Sequence, residues 1–212
     1  SKVIKVSATS ERVRKYGRKS EVAYQLAKKG KEVKRDLEHT LVGLDQAAEP
    51  GSNSTPRKMS SAWQWFDTAV TNSNGGTARA LTEDLVLDVA QKLYNEGGDF
   101  TTLMIKPGDA EIVADFAKSA GRERDFRSEK RIVNAVDLYV SPYGEMRVVL
   151  NRFFKTSEAM LFDPDNWKLL VLRNWFREKL AKTGDNEKHM LVGEFSLKHV
   201  NKKASGRITD LS

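Results

Sequence analysis

The sequence predicts an α+β fold on three observations: one long helical period near the start, βα texture through the middle, and strand-like alternation gathered in the second half. The long period covers residues 20–48, where Val22, Leu26, Gly30, Val33, Leu37, Leu41 and Leu44 recur every three or four positions and share one helical stripe. Ala23, Tyr24 and Ala27 widen the stripe, while Lys28, Lys31, Glu32, Lys34, Arg35 and Glu38 hold the opposite, solvated side. Ser20 stands before Glu21 as the N-cap, and Gly51 and Pro56 close the segment. At 1.5 Å per residue this helix is roughly 40 Å long, about the width of a small domain, so something must lie along its stripe.

Length and composition bound what the helix can belong to. The 212 residues, 39% of them hydrophobic, can bury a core as one large domain or two intimate ones. No apolar run approaches the roughly 20 residues that cross a bilayer, and no charged-then-apolar leader opens the chain, so neither a membrane span nor secretion is expected. With no cysteine there are no disulfides or thiolate metal sites, which suits a reducing cytoplasm. The first residue is not Met, which reads as a processed or truncated piece.

The net charge of +7 is concentrated at one end. Residues 1–35 carry twelve Lys or Arg against three Glu, a balance of +9, and the remaining 177 residues sum to −2. Such a leader can grip phosphate, an acidic neighbouring subunit, or only solvent.

In chain order, Ile4, Val6 and Ala8 alternate with Lys5 and Ser7, the period of a half-exposed strand. Arg12, Arg14, Lys15, Arg18 and Lys19 follow as an arm too polar for a core. Residues 49–61 form a loop by composition, and their Asn53-Ser54-Thr55 sequon is a chance match. Trp63, Trp65 and Phe66 make an aromatic knot for core packing or an inter-subunit anchor, rather than for base stacking. A second loop, 71–77, carries Asn74-Gly75-Gly76, and the two loops bracket a change of subdomain.

Thr82 caps a helix whose inner face is Leu85, Val86, Val89, Leu93 and Tyr94, ended by Gly97-Gly98. A buried strand over 102–105 and a Pro107-Gly108-Asp109 turn lead to a helix facing inward through Ile112, Val113, Phe116 and Ala117. Residues 122–131 alternate charge without apolar periodicity and read as an exposed connector. Val136, Leu138 and Val140, a turn over 141–144, and Met146, Val148 and Leu150 make a β-hairpin. Further strands are expected over 159–162, 167–172 and 191–199.

Chemistry is nearly absent. His39, His189 and His199 are scattered without metal spacing and read as exposed or locally bonded. Gly17-Arg18-Lys19-Ser20 lacks the upstream glycine of a phosphate loop, Asp163-Pro164-Asp165 is a turn, and no Gly-x-Ser-x-Gly elbow exists. No enzyme, cofactor, catalytic residue or metal ligand is expected.

Residues 17–26 (GRKSEVAYQL) and 30–38 (GKEVKRDLE), however, resemble the long helix of a tailed-bacteriophage major capsid protein. Tyr94-Asn95-Glu96-Gly97-Gly98 before residues 102–105, the stretch 136–144, Leu161-Phe162-Asp163-Pro164, and residues 180–185 with Glu187-Lys188 resemble the same family over nearly the whole chain. The resemblance implies the fold shared by tailed phages and herpesvirus capsids: a spine helix and long strands in a peripheral domain, an axial domain near the centre of each hexamer or pentamer, and an extended β-hairpin arm. On that template residues 1–19 are the returning limb of the arm, 20–78 the spine helix and peripheral domain, 79–188 the axial domain, and 189–212 a strand returning to the periphery. On the same template the N-terminal arm and the outgoing limb of the hairpin are expected to have no counterpart among these residues.

The resemblance implies a major head protein that assembles in the host cytoplasm with many copies of itself into an icosahedral virion capsid around double-stranded DNA. Scaffolding, decoration and portal proteins are its further implied partners, and no membrane is. Arg12, Arg14, Lys15, Arg18 and Lys19, with Trp63 and Trp65, are the candidates for the subunit interface; Lys28, Lys31 and Arg35 are those for facing DNA. The alternative is a basic nucleic-acid-binding module whose Lys/Arg-rich leader tracks phosphates.

Overall fold

In the computed structural model, which describes residues 1–119 and 138–212, strands of the described residues form two sheets. The connector expected over 122–131, and Val136, lie outside the described residues.

The first sheet has three antiparallel strands in the order β1-β8-β7, with β1 Lys2–Ser7, β7 Trp167–Leu180 and β8 Asn186–His199. Alternation at Ile4 and Val6 gives β1 one buried face, and Val22 and Leu26 of α2 (Glu21–Glu38) pack upon it. Lys2 fastens the far end of that contact, reaching Asp36 at 2.8 Å and Glu32 at 3.6 Å. The helix starts where expected: the Ser20 hydroxyl accepts from the Ala23 amide at 3.1 Å.

The helix ends earlier than its apolar period suggests. After Glu38 the chain makes a π-helical turn, His39–Gly43, and Leu44 is extended. Tertiary hydrogen bonds cause the stop. The Val42 carbonyl accepts from the Trp63 indole at 3.0 Å and the Lys155 amide at 3.1 Å, and the Gln46 amide donates to the Ser61 hydroxyl. Gly43 is required there, since a Cβ would lie 2.5 Å from the Phe153 carbonyl oxygen.

Residues 1–19 are not one extended limb. Only Lys2–Ser7 is extended; a short helix, α1 (Ala8–Arg12), follows, and the next residues close a turn at Gly17, whose φ is +73°. The reversal has a physical cause: the Glu11 carboxylate accepts from the Glu21 and Val22 amides at 2.9 and 3.0 Å, tying α1 to the start of α2.

The second sheet has six strands in the order β2-β9-β6-β3-β5-β4. These are β2 Thr71–Asn72, β3 Thr102–Ile105, β4 Leu138–Ser141, β5 Gly144–Leu150, β6 Ala159–Phe162 and β9 Ser205–Ile208. Helices α3 (Glu83–Asn95) and α4 (Ala110–Ser119) belong to this unit. All four residues of β6 are buried. Ala159 and Leu161 join the core under α3, with Val86, Val89, Leu93 and Ile208; Met160 and Phe162 join a second core with Trp63 and Phe154. Period-two alternation thus makes β6 the wall between two cores. Gly206 lets α3 approach β9, as a Cβ there would sit 2.3 Å from Val89 Cγ1.

Strand pairing overrides the division expected at residues 188 and 189. That boundary falls inside β8, whose partner β7 begins at Trp167, so both limbs of the 167–199 hairpin belong to the sheet of β1. Residues beyond the hairpin leave that sheet, and β9 pairs with β6 and β2 in the other. The expected strands over 167–172 and 191–199 are accordingly parts of two fourteen-residue strands.

Candidate assembly surfaces

One charged cluster among the described residues joins positions far apart in sequence. Glu158, 2% exposed, accepts from Arg207 through both oxygens, Nε at 2.8 Å and Nη2 at 2.7 Å, a bidentate fork. Lys155 bridges Glu158 at 3.1 Å to Asp45 at 3.2 Å, and Gln64 donates to Asp45 at 2.6 Å. Burial opposes the Asp45 charge, but Lys155 and Gln64 hold its carboxyl below the ordinary range. The Arg207 guanidinium lies 5.4 Å from the Trp63 ring centroid. This cluster fastens the segment after α2 to β9 and to the approach to β6. No local signal in the sequence marks it, because positions 45, 155, 158 and 207 meet only through the tertiary fold.

The basic leader divides into residues already paired and residues presented outward. Lys15 Nζ lies 2.8 Å from Glu21 and donates to the Ser10 hydroxyl at 2.8 Å. Arg18 reaches Glu21 at 3.3 Å and stacks 3.9 Å from the Tyr24 ring centroid. The hydrogen bond from Lys15, with further donors Gln25 and Arg18, lowers the Glu21 carboxyl to about 2. Arg12, Arg14 and Lys19 are exposed and have no side-chain partner among the described residues. On α2, Lys28, Lys31 and Arg35 are likewise exposed and unpartnered among the described residues, joined by Lys34 on the same side.

Trp63 is not a surface anchor in this chain. It is buried, with its ring edge-on to Phe154 at 5.1 Å and stacked on Phe66 at 5.8 Å. Trp65 is half-buried and donates to the Ser60 hydroxyl at 2.8 Å. Exposed apolar surface instead lies on β7, where Leu169, Leu170, Val171 and Leu172 form a continuous run and Leu172 is 73% exposed. β7 is the outer strand of its sheet, and the run of apolar residues on such an edge is a visible sequence signal of contact with another chain.

The histidines differ from expectation in one respect. His39 is exposed, and His199 is bonded to Ser205 at 3.0 Å and stacked on Trp167, but His189 is buried with neither ring nitrogen hydrogen-bonded. Its register explains the burial, since it lies opposite Ile4 on the face that α2 covers. Among the described residues no cluster of three or more His, Asp or Glu has metal-site geometry. A cleft of about 640 Å³ between residues 49–59 and β8 contains two carboxylates, each matched by cations: Glu49 by Lys58 at 2.8 Å, and Glu194 by a hydrogen bond from Arg173 with Arg57 at 3.8 Å.

The profile of the SU10 major capsid protein family matches residues 1–212, the full chain. The chain belongs to that family. This phage major capsid protein is 30% identical to the major capsid protein of Escherichia phage Phieco32, in an alignment covering 97% of this chain and 72% of the relative. Its fold is that of solved capsid subunits. The cyanophage A-1(L) capsid asymmetric unit superposes with a TM-score of 0.71 at 10% identity, covering 99% of this chain and 76% of the other. A chain of the Mycobacterium phage Cain structure superposes at 0.59 with 15% identity, covering 99% and 70%. The SrpI encapsulin of Synechococcus elongatus PCC 7942 superposes at 0.66 with 10% identity, covering 100% and 72%. The family match over the whole chain sets aside the alternative of a separate phosphate-tracking module. No helix of the described residues is long and apolar enough to cross a membrane.

Proposed function

We propose that many copies of this chain join as hexamers and pentamers and close an icosahedral head around double-stranded DNA, in the host cytoplasm and without catalysis of its own. The observation that carries this reading is the match of the whole chain to a phage major capsid family. In this reading α2 with the sheet β1-β8-β7 is the peripheral domain, and the six-stranded sheet with α3 and α4 is the axial domain near the capsomer centre. The open outer edge of β7 supports the first assignment, since an exposed apolar strand edge calls for a neighbour.

Arg12, Arg14 and Lys19 then donate inter-subunit ion pairs, while Lys15 and Arg18 hold the loop that presents them. Each exposed pair contributes only about 0–1 kcal/mol, but equivalent contacts repeat over a closed shell. Trp65 lies at the rim of that contact. Lys28, Lys31 and Arg35 face packaged DNA, and scaffolding, decoration and portal proteins are further partners.

Light scattering against protein concentration, run beside DNA binding against salt, tests this. A shell protein shows a threshold concentration above which large particles form. A subunit that stays monomeric at every concentration, and binds DNA oligomers with an affinity falling steeply in salt, would contradict it.

A further inference from the structure

The loop between β2 and α3 carries Asn74-Gly75-Gly76 and is tied to the end of the chain by one carboxylate. Asp210 accepts from the Asn74 amide at 2.7 Å, from the Ser73 hydroxyl at 3.0 Å and from the Thr209 hydroxyl at 3.0 Å. Behind this latch the Arg79 amide donates to the Asp210 carbonyl at 2.8 Å, and the Ser212 amide to the Arg79 carbonyl at 2.9 Å. Asp210 itself holds φ +62°, a conformation that residues with a side chain adopt at a cost and that these contacts maintain.

We propose that Asn74 is a site of spontaneous deamidation, and that its conversion to isoaspartate unlatches the C-terminal segment from this loop. The attacking atom is the Gly75 backbone nitrogen. It bonds to Asn74 Cγ, the Cγ–Nδ2 bond breaks, and the departing amide nitrogen takes the proton released by Gly75 to leave as ammonia. Water then opens the cyclic imide at either carbonyl, giving aspartate or isoaspartate, with no oxidant or reductant required.

The local structure favours the attack. Gly75 and Gly76 hold φ +64° and +86°, and no atom lies within 4 Å of where a Cβ would stand on either, so no neighbouring side chain crowds the turn on that side. Residues 73–78 are exposed, so water reaches the imide. Two contacts oppose it: the Gly75 amide donates to the Ser73 hydroxyl at 3.3 Å, and Asn74 Nδ2 donates to the Thr77 carbonyl at 2.8 Å. Releasing each of these exposed hydrogen bonds slows the reaction by about two- to tenfold. Of the chain's asparagines, Asn74 alone precedes glycine; Asn53, likewise exposed in a loop, precedes serine.

The product changes the latch in two ways. Isoaspartate adds a methylene to the backbone between Asn74 and Gly75, turning the Asn74 amide out of line with Asp210. It also places a second carboxylate beside the first, and like charges repel.

The test is to age the purified full chain at mildly alkaline pH and follow it by peptide mass mapping, isoaspartate-specific methylation and amide exchange. The expected result is an amide-to-acid mass change at Asn74 accumulating at least about tenfold faster than at the exposed loop residue Asn53, with faster exchange at the Arg79 and Ser212 amides in the aged protein. N74D separates charge from backbone lengthening and should speed exchange less than ageing does; N74Q should age without the change. Conversion at Asn74 no faster than at Asn53 would overturn the site. Conversion that leaves Arg79 and Ser212 exchange unaltered would overturn the unlatching.

Discussion

Replacing Glu158 with Gln probes the buried fork that joins the approach to β6 with β9 inside the six-stranded sheet. The substitution keeps the shape and removes the charge that Arg207 faces through two hydrogen bonds of 2.8 and 2.7 Å. Breaking a buried pair by removing one partner costs about 3–5 kcal/mol, because the other charge is left desolvated and unmatched. Arg207 keeps some compensation from Asp45 at 3.9 Å and the Trp63 carbonyl at 3.3 Å, which places the loss near the lower end, about 3 kcal/mol. For a chain of this size that is a fall in Tm of roughly 6–12 °C. Urea denaturation of subunits held below the assembly concentration measures it directly. Replacing both residues with apolar ones of similar volume, Glu158→Met with Arg207→Met, should recover most of the loss, since the desolvation cost disappears with the charges. A loss under about 1 kcal/mol for E158Q, or a double variant no better than the single, would refute the claim that the fork is a desolvated clamp.

Other consequences follow from the same geometry. Gly206→Ala forces a methyl against Val89 and Leu93 and should destabilise by about 1–3 kcal/mol in the same denaturation assay. Ser20→Ala removes the cap of α2 and should cost about 1 kcal/mol, seen as a lower urea midpoint with an unchanged slope. Asp210 is lowered from 3.8 to about 2, first by the Asn74 amide. A lowered carboxyl stabilises the fold above its unfolded value and loses that contribution as pH falls through the folded one. Tm should therefore drop between about pH 4 and pH 2, and D210N should make that drop shallower.

What could be read from the sequence follows from how local each cause is. The strand at Ile4 and Val6, which stops at Ser7 short of the expected Ala8, the Ser20 cap, and the hairpin over its described residues 138–150 depend on period and capping within a few residues, and to that extent they stand. The end of α2 is set by Trp63 and Lys155 bonding to the Val42 carbonyl, contacts with residues 21 and 113 positions away, so the apolar period ran past it. The length of the 167–199 hairpin was hidden because β7 is exposed on both faces and so has no core-facing alternation to show, and because bulges around Arg173 shift its register. β9 carries no strand signal because Ser205, Gly206 and Arg207 are small or charged, although all four of its residues pair with β6. Of the candidate interface residues, exposure of Arg12, Arg14 and Lys19 follows from a polar arm. Burial of Trp63 does not follow from its neighbours, since an aromatic knot fills a core and an interface equally well.

The most direct test of the whole account is a cryo-electron microscopy reconstruction of particles assembled from this protein. Closed particles with six-fold and five-fold capsomers are expected, with the six-stranded sheet at each capsomer centre and the 167–199 hairpin with α2 at the periphery. Particles with the hairpin at the capsomer centre, or a preparation that yields only dispersed monomers, would contradict it.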